Sequence, residues 1–291
     1  MTSTDRNSAS GPADQPGVAR APIRTFHPRR GRLSGRHVDA LDRLGPAFRL
    51  PVPEDPATTA ATDPNPATTD PTAAAATAPD PATAPDPVAE PVDLPALFGR
   101  RAPVVLEIGS GMGEATAAMA AADPDRDYLA AEVHTPGIAN LLAMIDRRGL
   151  TNVRVADGDA LVLLRLLPPA SLAAIHLFFP DPWPKTRHHK RRLIQPGNVA
   201  LLRDRLEPDG RLLCATDSHD YANAMRETLT ADPELVNAYA GFAPRPDDRP
   251  VTKFERRALA ARRPVFDLVF VRKGAGPVGG DRSGQGRIDR R

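Results

Sequence analysis

Val104-Val-Leu-Glu107-Ile108-Gly109-Ser110-Gly111-Met112-Gly113 joins a short apolar run to three glycines at alternate positions, and an alanine-rich stretch follows to Ala122. The pattern predicts a buried strand, a tight turn and a helix. Glycine tolerates positive φ and carries no Cβ, so such a turn can be sharp and its backbone can approach a ligand closely. Beyond it the alternation continues. Strands are expected at Tyr128–Val133, Asn152–Ala156, Leu172–Phe179 and Arg211–Thr216, with helices at Gly137–Arg148, Ala160–Leu167, Pro196–Leu206 and Tyr221–Thr230. Strands and helices in turn, on short connections, build a mostly parallel sheet covered on both faces. A last β-rich run, Val265–Arg272, is expected as an antiparallel strand at an edge. The fold class is α/β and Rossmann-like, with its folded domain over residues 94–273.

Outside that domain the composition changes. The chain has 291 residues and 33 prolines, too many for one compact body. Residues 1–22 and the Gly/Arg-rich tail 274–291 are expected to be disordered. Residues 23–50 form a basic arm, with Arg24, Arg29, Arg30, Arg32 and Arg36 leading into a short helix near His37–Leu44. Residues 51–93 consist almost wholly of Pro, Ala, Thr and Asp and read as a solvated linker. That linker holds eight acidic residues and no Lys or Arg, so a chain of net charge +2 carries +10 on the remainder. A body so basic suits a polyanionic partner. No apolar run reaches the roughly 20 residues a membrane helix needs, and the N-terminus lacks a secretory core. A soluble cytoplasmic protein with no membrane contact and no obligatory protein partner is expected. Cys214 is the sole cysteine, which excludes an internal disulfide and a cysteine-built metal site.

The glycine turn has the spacing GxGxG, not the GxGxxG of dinucleotide binders, and Glu107 stands just before it. A pyrophosphate is repelled by a carboxylate there, whereas a sulfonium bearing an amino group is attracted by one. Gly109, Gly111 and Gly113 with Glu107 therefore favour S-adenosylmethionine over NAD. Glu132 ends the second strand, where an acid can reach ribose hydroxyls, and Asp159 follows the third, where it can accept from an adenine amino group or cap a helix. All three acids fall at carboxyl ends of successive strands, the crevice where open α/β sheets bind ligands.

The fourth strand runs into Phe178-Phe179-Pro-Asp181-Pro-Trp183-Pro-Lys185-Thr-Arg187-His188-His189-Lys190-Arg191-Arg192. A carboxylate, the only tryptophan and a dense cationic run are thus close to the expected methyl donor, which puts phosphate-binding capacity beside the chemistry. Trp183 can stack on a base or serve as core. His134 and Cys214 read as structural. Here the sequence closely resembles the tRNA (guanine-N7-)-methyltransferase family, a group of class I S-adenosylmethionine-dependent methyltransferases. The resemblance spans residues 24–36 and 94–273 and rests on Phe179-Pro-Asp-Pro-Trp-Pro-Lys185 through Arg192, Ala215-Thr-Asp217 and Arg249-Pro-Val-Thr252-Lys253-Phe254-Glu255.

The resemblance implies that Glu107, Glu132, Asp159 and Asp181 contact S-adenosylmethionine or form the catalytic centre. It further implies that Lys185, Asp217, Thr252, Lys253, Phe254 and Glu255 contact the substrate. Arg187, His188, His189, Lys190, Arg191 and Arg192 would meet RNA, and the product would be 7-methylguanosine at tRNA position 46. No metal is expected. The tract 51–93 departs from the family pattern, in which the arm joins the domain closely.

Guanine N7 has an in-plane lone pair and no proton, so its methylation needs positioning and a countercharge for the cationic product, not a general base. Asp181 is the candidate for holding the guanine or stabilising that charge. Two rivals remain. The Asp181-Pro-Trp183 loop resembles that of amino-group methyltransferases, and a tRNA-binding protein without catalysis would share the basic surface. An NAD-dependent reductase is the weakest alternative.

Overall fold

A computed structural model describes residues 25–26, 31–54 and 91–274. The stretches expected to be disordered at 1–22 and beyond Gly274, and most of the linker 51–93, lie outside the described residues. In chain order the elements are α1 (Gly35–Phe48), β1 (Arg49–Pro51), α2 (Leu94–Phe98), β2 (Val104–Ile108), α3 (Glu114–Ala122), β3 (Asp127–Glu132), α4 (Thr135–Arg148), β4 (Val153–Asp157) and α5 (Ala160–Leu166). Then come β5 (Leu172–Phe178), a 3-10 helix (Thr186–Arg191), α6 (Pro196–Arg205), β6 (Leu206–Thr216), α7 (His219–Thr230), β7 (Leu235–Asn237), α8 (Lys253–Ala260) and β8 (Phe266–Arg272).

The eight strands form one sheet in the order β1-β4-β3-β2-β5-β6-β8-β7. All neighbours from β1 to β6 are parallel, and β8 runs antiparallel to both β6 and β7. Every residue of β2 and β3 is buried, as a strand covered on both faces must be. Side chains alternate between two cores. Leu106 joins Leu163, Leu202 and Phe270 on one face, while Val105 joins Ala117, Leu141 and Ile145 on the other. Strand order reverses about β2, with β3 and β4 to one side and β5 and β6 to the other. The crevice outside the carboxyl ends of β2 and β5 is therefore the fold's natural ligand site.

Local chemistry explains the boundaries. Helix α4 begins with Pro136 in its first turn and ends at Gly149, whose φ of 62° closes the helix in the left-handed region. The Ser218 side chain caps α7, and the Asp159 side chain caps α5. Strand β6 starts at Leu206, earlier than the expected Arg211, and its pairing with β5 shifts register between Leu172 and Ala174.

Two three-residue strands carry too few residues for a period-2 signal. One is β7, which pairs outside β8, so the antiparallel margin is two strands wide. The other is β1, contributed by the segment expected as a basic arm. There α1 packs on α4, Arg43 reaches Asp146 at 3.0 Å, and Arg49 pairs with Asp157 at 3.4 Å beside the β1–β4 pairing. The arm is thus partly built into the sheet edge. Among the described residues no helix is long and apolar enough to cross a membrane.

Candidate functional site

The glycine turn does what its spacing predicts. Gly109, Gly111 and Gly113 hold φ of 73°, 60° and 74°, and the Gly109 N–H donates to the Ala131 carbonyl at 2.9 Å. The turn floors a cleft of about 550 Å³ lined by Glu107, Gly109, Gly111, Glu132, Asp159, Phe179, Asp181, Lys253 and Phe254 among others. Volume and lining fall in the range of small-molecule sites.

Three acids on the cleft have different commitments. Glu107 is 3% exposed and accepts from the Thr116 hydroxyl on α3. Burial pushes its carboxyl up to about 7; the Thr116 bond opposes this and nearby Glu132 adds to it. Its register partner on β5 is His176, itself pushed down by burial to about 4, so no imidazolium charge relieves Glu107 from that side. The Glu132 carboxylate is a backbone clamp. Its Oε2 accepts from the Gly111 N–H at 2.6 Å, and its Oε1 from the Val133 and His134 N–H groups at 2.8 and 2.9 Å. Asp159 accepts from the Leu161 N–H at 2.8 Å as the α5 cap while also lining the cleft.

After β5 the chain turns through Phe179-Pro180-Asp181-Pro182-Trp183-Pro184. Phe179 and Trp183 have φ of 52° and 46°, an uncommon region for large side chains and one where strain collects at functional loops. Three prolines stiffen the turn, and Asp181 faces the cleft. Trp183 is 4% exposed and donates to the Thr25 carbonyl at 3.3 Å, with the Arg191 guanidinium 4.9 Å above its ring. It is a packing residue that ties the N-terminal segment to the loop, and Thr25 and Phe26 consequently form part of the cleft wall.

The cationic run forms the 3-10 helix. Lys185, Arg187 and Lys190 are exposed, and His188, His189 and Arg191 are partly so. Arg192 differs from the surface position expected for it. It is 3% exposed, its guanidinium bonds to the Pro182 carbonyl, Asp220 and His189, and it lies 4.7 Å from the Tyr221 ring. A desolvated guanidinium needs such partners, so Arg192 anchors the loop to α7.

Asp217 lies at the end of β6, where it accepts from Arg263 Nε and Nη2 at 3.0 and 2.7 Å, and Ser218 takes the helix-capping role. Thr252 caps α8 by accepting from the Glu255 N–H at 3.1 Å. Glu255, expected at the substrate, is 2% exposed and turned inward. Arg249 donates to it at 2.8 and 3.1 Å and Arg245 at 2.7 Å. Burial raises the Glu255 pKa, but the hydrogen bonds and charges of the two arginines outweigh that and hold it below the ordinary glutamate value. Its neighbours Lys253 and Phe254 remain exposed, and Phe254 stacks on Phe179 at 6.3 Å.

Residues 101–268 match a family model for methyltransferases. The chain is 47% identical over 253 residues to the tRNA (guanine-N(7)-)-methyltransferase of Streptomyces coelicolor, spanning 86% of this chain and 81% of that one. It is 44% identical over 279 residues to that of Paraburkholderia xenovorans, spanning 94% of both chains. The match to the protein of Dechloromonas aromatica is 54% over 186 residues, 64% of this chain and 76% of the other. The chain belongs to the tRNA (guanine-N(7)-)-methyltransferase family.

In this methyltransferase several residues of the site were not singled out in the sequence. Gly137 opens α4 against the glycine turn, and a Cβ there would sit 2.0 Å from the Gly111 carbonyl oxygen. Only its place after a Pro at a helix start hints at it. Arg249 is fully buried, pairs with Glu255 and with Asp267 at 3.0 Å, and lies 5.7 and 5.9 Å from the Phe178 and Phe179 rings. It opens the Arg249–Glu255 motif, but nothing in that stretch of sequence tells a buried arginine from an exposed one. Thr116, Phe26 and Arg257 left no local signal at all.

Proposed function

We propose that this protein transfers a methyl group from S-adenosylmethionine to N7 of a guanine in tRNA, at position 46 of the variable loop, giving 7-methylguanosine. The observation that carries this reading is that Asp181 lines the same cleft as Glu107 and the glycine turn. The family membership supports it.

The donor set fits S-adenosylmethionine. When bound, it supplies an electrophilic methyl group on a sulfonium. Glu107 offers a buried carboxyl whose ionised form lacks a countercharge and gains one from a cationic ligand. Glu132 and Asp159 keep acceptor capacity beyond the backbone N–H groups they hold, since a carboxylate offers about four lone-pair sites. That suits ribose and adenine donors. Gly109 and Gly111 let the backbone approach, whereas Gly113, expected at the cofactor, makes room for Leu141 of α4, where a Cβ would fall 2.6 Å from the Leu141 Cβ.

On the substrate side Asp181 accepts from guanine N–H donors and lowers the energy of the positive charge that develops as N7 is alkylated. No residue need remove a proton. Lys185, Lys253, Thr252 and Phe254 rim the base, with Asp217 orienting Arg263 and the Glu255–Arg249 pair holding the rim from beneath. Arg187, His188, His189, Lys190 and Arg191 take the phosphates.

Incubation with labelled S-adenosylmethionine and unmodified tRNA, followed by nucleoside mapping, tests the reaction. A cationic, alkali-labile 7-methylguanosine is expected; N6-methyladenosine would identify an amino-group enzyme, and no transfer would leave a binding protein. Asp181→Asn is expected to cut kcat at least about 100-fold while S-adenosylmethionine still binds. A near-normal rate would remove Asp181 from the chemistry.

A further inference from the structure

We infer that the outer face of α8 is a second phosphate-binding surface for the tRNA, separate from the 3-10 helix Thr186–Arg191. The inference rests on the proposed tRNA substrate and adds a contact to it. Helix α8 turns only Glu255 and Ala258 inward. Outward it presents Lys253, Phe254, Arg256, Arg257 and Leu259, and the turn after it adds Arg262 and Arg263. The one acid on the helix, Glu255, is spent beneath it on Arg245 and Arg249. The exposed face therefore carries cations and no acid, with charges in the first two turns and again just after the helix. Phe254 is 42% exposed and Leu259 58%, so apolar surface lies between the charges.

Two features point to a nucleic acid rather than to a merely solvated helix. The face is continuous with the methyl-transfer cleft, because Thr252, Lys253, Phe254 and Arg257 line that cleft. A chain whose nucleotide enters past this wall brings its flanking phosphates within reach of α8. The single exposed aromatic on this face, Phe254, set beside the guanidinium groups also suits a ligand that combines phosphates with flat bases. Acidic neighbours take part of this charge, and among the described residues no ion pair engages Lys253, Arg257 or Arg262. Arg263 is held by Asp217 at 2.7 Å, and Arg256 reaches Glu114 only at 3.5 Å. The 3-10 helix is anchored to α7 through Arg192, whereas α8 is anchored to β8 through Arg249 and Asp267. Two independently held cationic surfaces, α8 on the cleft wall and the 3-10 helix in the chain that follows cleft-lining Asp181, would fix an RNA segment at two points and so set the orientation of the base.

Cations near a helix C-terminus also suit the helix dipole, a purely structural use for Arg262 and Arg263. Binding data separate the two. The full-length double variant R256Q/R262Q changes two residues outside the cleft lining. Titrated with unmodified tRNA over a range of salt, it is expected to lose at least about 10-fold in affinity, and its log Kd against log salt slope to fall by up to about two. Its affinity for S-adenosylmethionine, read by calorimetry, stays at the wild-type value. R256K/R262K keeps the charge and restores both slope and affinity.

Wild-type tRNA affinity and slope in the glutamine variant would overturn the surface, including the case where only binding to an acidic protein is lost. Absence of tRNA binding by the wild-type protein itself would instead overturn the proposed function, and the surface with it.

Discussion

Glu132 holds Gly111 in place: the Gly111 N–H donates to Oε2 at 2.6 Å, and the other carboxylate oxygen gathers the N–H groups of Val133 and His134. One side chain at the end of β3 thereby ties the turn after β2 to the start of α4. Glu132→Ala should cost about 1–3 kcal/mol in denaturant unfolding, because three backbone donors lose a charged acceptor. Affinity for S-adenosylmethionine should drop with it. Unchanged stability would show that the clamp contributes nothing to the turn.

Gly137→Ala tests the same turn from the other side. Its Cβ would fall 2.0 Å from a backbone oxygen that cannot swing away. The expected result is a cofactor affinity weakened at least about 10-fold and a lower melting temperature, since overpacking at backbone typically costs 1–3 kcal/mol. Gly149→Ala, at φ 62° in open space on the far end of α4, should cost about 1 kcal/mol and leave cofactor binding alone. Equal effects of the two changes on binding would contradict the close-approach argument.

Glu107 makes cofactor affinity depend on pH. Its carboxyl sits at about 7 against an ordinary 4.5, so the folded protein binds a proton that the unfolded chain has already released. Its contribution to stability is complete below pH 4.5 and is lost as pH rises through 7, by up to about 3 kcal/mol. A cationic ligand selects the ionised form, so S-adenosylmethionine should bind more tightly from pH 6 to pH 8, with proton release. Glu107→Gln should flatten both profiles. Calorimetry in buffers of different ionisation enthalpy reads the proton directly.

The Arg249–Glu255 pair is buried at both ends, 1% and 2% exposed. Glu255→Gln leaves the guanidinium undercompensated and should cost about 3–5 kcal/mol. Arg249→Met combined with Glu255→Leu should cost less than the sum of the single changes. An additive cycle would mean that the two side chains do not act as a unit.

Arg187, Lys190 and Arg191 are separable from Arg192. Neutralising the first three should weaken tRNA binding and reduce the salt slope by up to about three, with a stability loss of no more than about 1 kcal/mol from the Arg191 contact with the Trp183 ring. Arg192→Gln should instead lower stability by about 1–3 kcal/mol through the lost bonds to Pro182 and Asp220. A reversed pattern would put Arg192 on the RNA surface after all.

Much of this was legible in the chain itself. Short apolar runs alternating with alanine-rich or amphipathic stretches identify β2 through β6 and the helices between them, because a strand buried on both faces must be apolar throughout. The glycine turn was readable for the same kind of reason, since positive φ restricts which residues a position accepts. Short elements were not. Strands β1 and β7 have three residues each and exist only because neighbouring strands offer them a ladder.

The amino-acid order alone determined the α/β class, the positions of Glu107, Glu132, Asp159 and Asp181 at strand ends, and the basic loop beside them. These follow from local chemistry, as backbone freedom, hydrophobic period and charge act within a few residues. Which charges face solvent was decided only by the tertiary structure. Arg192, Arg249 and Glu255 look like their exposed neighbours in the sequence, and their burial depends on Asp220, Asp267 and Arg245, brought to them from 28, 18 and 10 residues away. A buried charge is tolerated only where a partner meets it, and that meeting is a property of the folded chain.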